Sequence, residues 1–163
     1  MRLQNFFKKF GIIFVLIALC ILFSITTKGT FIKPGNLLNV ARQVSMIGIC
    51  AVGMAIVMIT GGMDLSVGSL QGLLGVLGAL MMTRGGFPIW ATVLCTLTLG
   101  VLFGLFHAFV FNTVGIPPMI ITLAMYTAYR GLAYVISGGI PVFGLPEDFS
   151  KIGQGYIWFI PIP

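Results

Sequence analysis

Thr60-Gly61-Gly62-Met63-Asp64-Leu65-Ser66-Val67-Gly68-Ser69 joins two long apolar runs. Ile47 to Ile59 is apolar apart from small glycines, and Leu70 to Met82 has Gln71 as its only strongly polar side chain. A carboxylate between such runs costs about 2.5–3.5 kcal/mol at the centre of a membrane helix and less near an interface. That cost makes Asp64 a functional candidate. Gly61-Gly62 offers no side chains to sustain a helix, so the preceding helix is expected to end there. Asp64 then reads as an N-cap whose carboxylate accepts from the amides of Ser66 or Val67. Those hydrogen bonds and the helix dipole offset part of its desolvation. A cap in a membrane loop and a polar group on a pathway are both open readings, and they are compatible.

Composition sets the class. Of 163 residues, 58% are hydrophobic and 7% charged, with a mean hydropathy of +1.12. Soluble domains carry about 25% charged residues, so a water-soluble fold of this chain lacks polar surface to cover itself. The expectation is an all-α integral membrane protein, a polytopic helical bundle with about five transmembrane helices and the start of a sixth. The net charge of +6 comes from dispersed residues (Arg2, Lys8, Lys9, Lys28, Lys33, Arg42, Arg84, Arg130 and Lys151). They form no stripe and no recognition motif, so nucleic acid is not an expected partner. Cys20, Cys50 and Cys95 each lie in an apolar run without metal-ligand or pairing logic, and read as small membrane-buried hydrophobes.

Along the chain, Arg2, Lys8 and Lys9 precede an unbroken apolar stretch from Phe10 to Ile25. No small-x-small cleavage site follows it, so it reads as an uncleaved first helix with a cytoplasmic N-terminus. Thr27 to Gly35 is a polar loop, and Asn36 the expected cap of the second helix. The third helix is expected from the Asp64 turn to about Met82, with Gly68, Gly72, Gly75 and Ala79 on one face. The fourth runs from about Ile89 to Phe111, with Thr92, Thr96, Gly100, Gly104 and Ala108 every four residues. Stripes of small residues let helices approach closely in lipid, so two of them predict a compact bundle. His107 stands alone near the end of the fourth helix and reads as a proton relay or a hydrogen-bonded structural histidine.

Pro117-Pro118 opens a fifth helix, to about Ser137. Thr122, Tyr126, Arg130 and Tyr134 recur on it every four residues, giving a polar face suited to a bundle interior. A pairing of Arg130 with Asp64 is an expectation of this reading. Ser137 to Gly155 is expected to be a loop, after which Tyr156 and Trp158 read as interface anchors of an opening sixth helix. The chain stops at Pro163, before that helix can cross, so it reads as truncated. No phosphate-binding Gly-x-x-x-x-Gly-Lys-[Ser/Thr] loop, metal-spaced cluster or Ser/His/Asp set stands out, so catalysis, metal ions and cofactors are not expected.

Gly61-Gly62-Met63-Asp64-Leu65-Ser66-Val67-Gly68-Ser69 resembles the signature of the ribose/xylose/arabinose-type permeases of bacterial ABC importers. Ile116-Pro117-Pro118-Met119-Ile120-Ile121-Thr122-Leu123-Ala124-Met125, followed by Arg130-Gly131-Leu132, resembles a second segment of that family, and Asn112 before it also fits. Met63 stands where the signature commonly has isoleucine. The resemblance covers essentially the whole chain and about half of such a permease. It implies a single transmembrane permease domain over residues 1–163, the N-terminal half of a longer subunit, in the bacterial inner membrane. It further implies a second permease subunit, identical or not, cytoplasmic ATPase subunits, and a periplasmic binding protein delivering a monosaccharide or related solute. The autoinducer-2 branch is included. The residues assigned to translocation or to the structural motif are Gly61, Gly62, Asp64, Ser66, Gly68, Ser69, Thr122, Tyr126 and Arg130. Two readings of other classes are a small ion-coupled transporter or channel-like protein using Asp64 and Arg130 directly, and a non-transporting membrane interaction subunit.

Overall fold

The computed structural model describes residues 2–157 and 160–161, with side chains described for residues 10–152 and 155. It contains two units, Met1–Met46 and Ile47–Ile162, and the second helix runs through the division between them. The first unit holds α1 (Arg2–Thr26), a 3-10 turn (Thr30–Ile32) and the start of α2 (Pro34–Ile59). The connection is tied locally. The Thr27 hydroxyl donates to the Phe23 carbonyl at 2.6 Å and accepts from the Phe31 amide at 3.0 Å. The rings of Phe23 and Phe31 pack at 5.9 Å. The sequence expectation that Asn36 caps the second helix is not met. Helix α2 already begins at Pro34, whose fixed φ suits a first turn, and Asn36 Nδ2 donates back to the Phe31 carbonyl at 2.8 Å.

The second unit is built on α3 (Val67–Thr83), which packs against both α4 (Ile89–Val114) and α5 (Pro118–Ser137). Its core is small. Among the described residues, Leu73, Met82, Ile121 and Tyr129 are the buried apolar side chains, and Ser66, Thr92, Thr122 and Ser137 are the buried polar ones. Most large apolar residues face outward, Ile59 being 85% and Val135 78% exposed. Such an apolar exterior is stable only against lipid or other protein. Three of the described helices, Pro34–Ile59, Ile89–Val114 and Pro118–Ser137, are long and apolar enough to cross a membrane. Two further apolar stretches, Phe10–Thr26 and Val67–Thr83, are shorter. The 17 residues of α3 reach only about 26 Å of a hydrocarbon core about 30 Å thick.

Only one of the two expected small-residue stripes sits at a tight contact. A Cβ on Gly78 of α3 would lie 3.2 Å from Thr96 Cγ2 and 3.5 Å from Thr92 Cγ2, and one on Gly100 would lie 3.5 Å from Leu74 Cδ1. The α4 stripe therefore meets α3. The α3 stripe does not do the same, since a Cβ on Gly68, Gly72 or Gly75 would meet nothing within 4 Å. Both α4 and α5 end on a left-handed glycine, Gly115 (φ 68°) and Gly138 (φ 71°), a conformation that strains side-chain-bearing residues.

The C-terminal segment departs from expectation. Glu147–Gln154 forms a short helix, α6, where a loop was expected. Acidic Glu147 and Asp148 occupy its first turn and Lys151 its last, which complements the helix dipole. The Lys151 ammonium donates to Asp148 at 2.8 Å and holds that carboxylate below its ordinary range. After α6, β1 (Tyr156–Ile157) pairs antiparallel with β2 (Ile160–Pro161), in place of the opening turn of a sixth helix. Trp158, expected as an interface anchor, lies outside the described residues, as does the side chain of Tyr156.

Candidate functional site

Helix α2 unwinds at the glycine pair. Gly61 takes φ 82°, and the amides of Gly61 and Gly62 turn back onto the carbonyls of Met58 (3.0 Å) and Val57 (3.1 Å). This is the crossed pattern of a glycine-terminated helix, and only glycine takes that φ without strain. The chain then runs through Met63, Asp64 and Leu65 without helical structure before α3 starts at Val67.

Asp64 fixes that restart. Its Oδ1 accepts from the Ser66 amide at 2.8 Å and from the Ser66 hydroxyl at 2.7 Å. The sequence reading of a carboxylate accepting from the Ser66 amide holds. The N-cap position itself is occupied by Ser66, with Asp64 two residues earlier, so the carboxylate closes a turn leading into the helix. Ser66 is fully buried, and the Ser69 hydroxyl donates to its carbonyl at 2.8 Å.

The second carboxylate oxygen faces α4. His107 Nδ1 lies 3.8 Å from Asp64 Oδ2, with the two side chains 11% and 24% exposed. On the other edge of the ring, His107 Nε2 is 2.8 Å from the Tyr129 hydroxyl of α5. One proton arrangement satisfies all three groups: Tyr129 donates to Nε2, and Nδ1–H points toward the carboxylate. At 3.8 Å the Asp64–His107 contact is electrostatic and too long for a hydrogen bond. Tyr129 is only 2% exposed and packs edge-on to Phe103, with ring centroids 4.9 Å apart. Ser66, Asp64, His107 and Tyr129 thus form one polar chain through three helices. Sequence inspection placed Asp64, His107 and the serines on unrelated segments, and the fold brings them together. The serine contacts the carboxylate and not the imidazole, so this is not a nucleophile held by a general base.

A cavity of about 350 Å³ opens beside this chain, lined by Gly61, Gly62, Asp64, His107 and Thr122 among others. The Thr122 hydroxyl lies 3.3 Å from the carbonyls of both Met63 and Met119, tying α5 to the turn. The expected site residues therefore divide. Gly61, Gly62, Asp64 and Thr122 line this cavity, whereas Gly68, Ser69, Tyr126 and Arg130 line another of about 470 Å³. Ser66 is buried and lines neither. The expected Arg130–Asp64 pair does not form. Arg130 Nη1 donates to the Tyr126 hydroxyl at 3.3 Å, and Asp64 is engaged by Ser66 and His107.

His107 and Tyr129 were not assigned to the site from sequence. The signal was present as spacing. His107 stands three residues after Gly104 and one before Ala108, on the small-residue face of α4. Tyr129 adjoins the polar face carrying Tyr126 and Arg130. Among the described residues, no three His, Cys, Asp or Glu side chains gather as a metal site.

The chain is similar to permease proteins of sugar importers. It is 38% identical to the xylose transport system permease protein XylH of Haemophilus influenzae over 88% of this chain and 39% of that protein. It is 37% identical to the ribose import permease protein RbsC of Bacillus subtilis over 96% of this chain and 48% of that protein. It is also 38% identical to the autoinducer 2 import system permease protein LsrD of Klebsiella pneumoniae over 72% of this chain and 37% of that protein. The chain thus spans less than half the length of these relatives. No solved structure matches it. Residues 36–162 match the family described as branched-chain amino acid transport system / permease component. With most of its length inside that match, and with its apolar helices, the chain is a multi-pass membrane protein that belongs to the branched-chain amino acid transport system permease family.

Proposed function

We propose that this chain contributes to the transmembrane pathway of a bacterial ABC importer for a monosaccharide or a similarly hydroxylated small solute. The observation that carries the reading is the cavity at the Asp64 turn. Carboxylate, imidazole and threonine hydroxyl sit at its wall inside an otherwise apolar bundle. A polyol needs acceptors and donors at short spacing without a full counter-charge. Asp64 is already braced by Ser66 and faced by His107, so it offers a partly compensated acceptor. The transport roles named for the relatives, of xylose, ribose and autoinducer 2, agree with such a solute.

In this reading the residues of the site are Gly61, Gly62, Asp64, Ser66 and Thr122, with His107 and Tyr129 holding Asp64 in place. The single domain over residues 1–163 supplies one portion of the pathway. The remainder comes from further permease polypeptide and a second permease subunit in the inner membrane. A cytoplasmic ATPase supplies the energy and a periplasmic binding protein the solute. The chain itself performs no chemistry on its cargo.

The test is uptake. Deleting the coding region in the source bacterium should abolish energy-dependent import of at least one radiolabelled pentose or furanose. The wild-type gene should restore it, and a gene carrying Asp64→Ala should not. Unchanged uptake of every sugar after deletion would refute the proposal.

A further inference from the structure

We propose that the groove at Arg130 is a binding site for a phosphate-like oxyanion. The groove encloses about 470 Å³ and is lined by Arg130, Tyr126 and Tyr134 of α5 and by Gly68, Ser69 and Gly72 of α3. It shares no lining residue with the Asp64 cavity. Arg130 donates to the Tyr126 hydroxyl at 3.3 Å, and Tyr134, one helical turn further on, lines the same groove. The Tyr126 oxygen accepts from the guanidinium, which leaves its own proton free to donate elsewhere. The guanidinium has five N–H groups, so donors remain on it as well. Three groups able to donate, Arg130, Tyr126 and Tyr134, thus line the α5 side of the groove.

The facing wall complements them. A Cβ on Gly68 or Gly72 would meet nothing within 4 Å, so α3 leaves room beside the guanidinium. Gly68 and Ser69 lie in the first turn of α3, where the first helical bond runs from the Leu70 amide to the Ser66 carbonyl. Amides ahead of Leu70 have no intrahelical acceptor, and the positive end of the helix dipole sits there. No carboxylate lines the groove. Among the described residues, the ion pairs are Asp64 with His107 and Asp148 with Lys151, neither of which involves Arg130. A cation on an apolar helix is costly unless compensated. A neutral solute leaves it so. A tetrahedral or planar oxyanion takes two parallel guanidinium bonds and the tyrosine protons.

A phospholipid headgroup and a free or solute-borne phosphate offer the same chemistry, and two arms separate them. Full-length permease is delipidated in a non-ionic detergent. In one arm phosphatidylglycerol is added and bound lipid is counted by native mass spectrometry. In the other, radiolabelled inorganic phosphate is measured by equilibrium dialysis. Wild-type protein should bind in at least one arm, which names the source. Arg130→Gln should weaken that binding at least about tenfold. Tyr134→Phe, which keeps the charge and the packing, should weaken it about threefold. Arg84→Gln, which removes an exposed arginine elsewhere, should change nothing. The proposal is overturned if wild-type protein binds in neither arm. It is equally overturned if Arg130→Gln and Tyr134→Phe both bind as wild type, or if Arg84→Gln loses as much as Arg130→Gln.

Discussion

Replacing His107 with leucine removes the ring that joins Asp64 of the α2–α3 connection to Tyr129 of α5. Tyr129 is 2% exposed and loses its acceptor at 2.8 Å. A buried hydroxyl left unpaired costs about 1–3 kcal/mol in soluble proteins. Pairs inside membranes couple less, about 0.6 kcal/mol on average and about 1.7 at most, because the unfolded chain in the bilayer also finds partners. We therefore expect a coupling of about 1 kcal/mol between His107 and Tyr129. In numbers, His107→Leu should cost about 2 kcal/mol, Tyr129→Phe about 1, and the double variant only about 2. The loss of the imidazole facing Asp64 occurs in both His107 variants and cancels in the cycle. The assay is reversible unfolding in mixed micelles at increasing sodium dodecyl sulfate, followed by circular dichroism. If the two single changes add to within about 0.3 kcal/mol, the His107–Tyr129 bond contributes nothing, and the polar chain described above is not a physical unit.

Gly78→Val should destabilise by about 1–3 kcal/mol, since even the Cβ lies 3.2 Å from Thr96 Cγ2 and the added methyls force α3 from α4. Gly72→Ala on the open face of α3 should be nearly silent in the same unfolding assay. Asp64→Asn keeps an acceptor for the Ser66 amide and hydroxyl and should fold nearly normally. Asp64→Ala loses both bonds and should cost about 2–4 kcal/mol and lower the yield of folded protein. The Asp148–Lys151 pair should be insensitive to pH above the ordinary carboxylate range. Asp148 is held below its usual value by Lys151, so the pair's contribution is present above that range and fades only as pH falls through the depressed value. Both side chains are exposed, so hydrogen exchange across α6 should change little even then.

Helix α5 was legible end to end. Pro117-Pro118 at its start and Gly138 after Ser137 mark both boundaries with backbone-specific residues, and the structure follows them. The start of α3 was legible for a similar reason, because Gly61, Asp64 and Ser66 act within a few residues of one another. The partner of Asp64 was not legible. Arg130 was the obvious candidate by charge, yet spacing along a helix says which residues share a face and not which neighbour that face meets. His107 became the partner because the small residues of α4 bring that helix against α3, a consequence of packing that a lone histidine does not advertise. Helix α6 was missed although Pro146, the acidic pair Glu147-Asp148 and the later Lys151 are a helix-start pattern, because glycines and prolines around it drew the reading toward a loop.

The break between α2 and α3 is not at the rim of the bundle. Asp64 meets α4 at His107, two turns short of the end of that helix at Val114, or about 10 Å further in. Peptide groups that lack helical partners cannot be solvated by hydrocarbon, so at such depth they survive only inside protein or beside an aqueous space. The 350 Å³ cavity over Gly61, Gly62 and Met63 has room for several solvent molecules and polar walls to hold them. Any peptide group of the break left without a protein partner is therefore expected to be solvated from this cavity and not by lipid. A hydrophilic molecule reaching that space would keep part of its hydration shell.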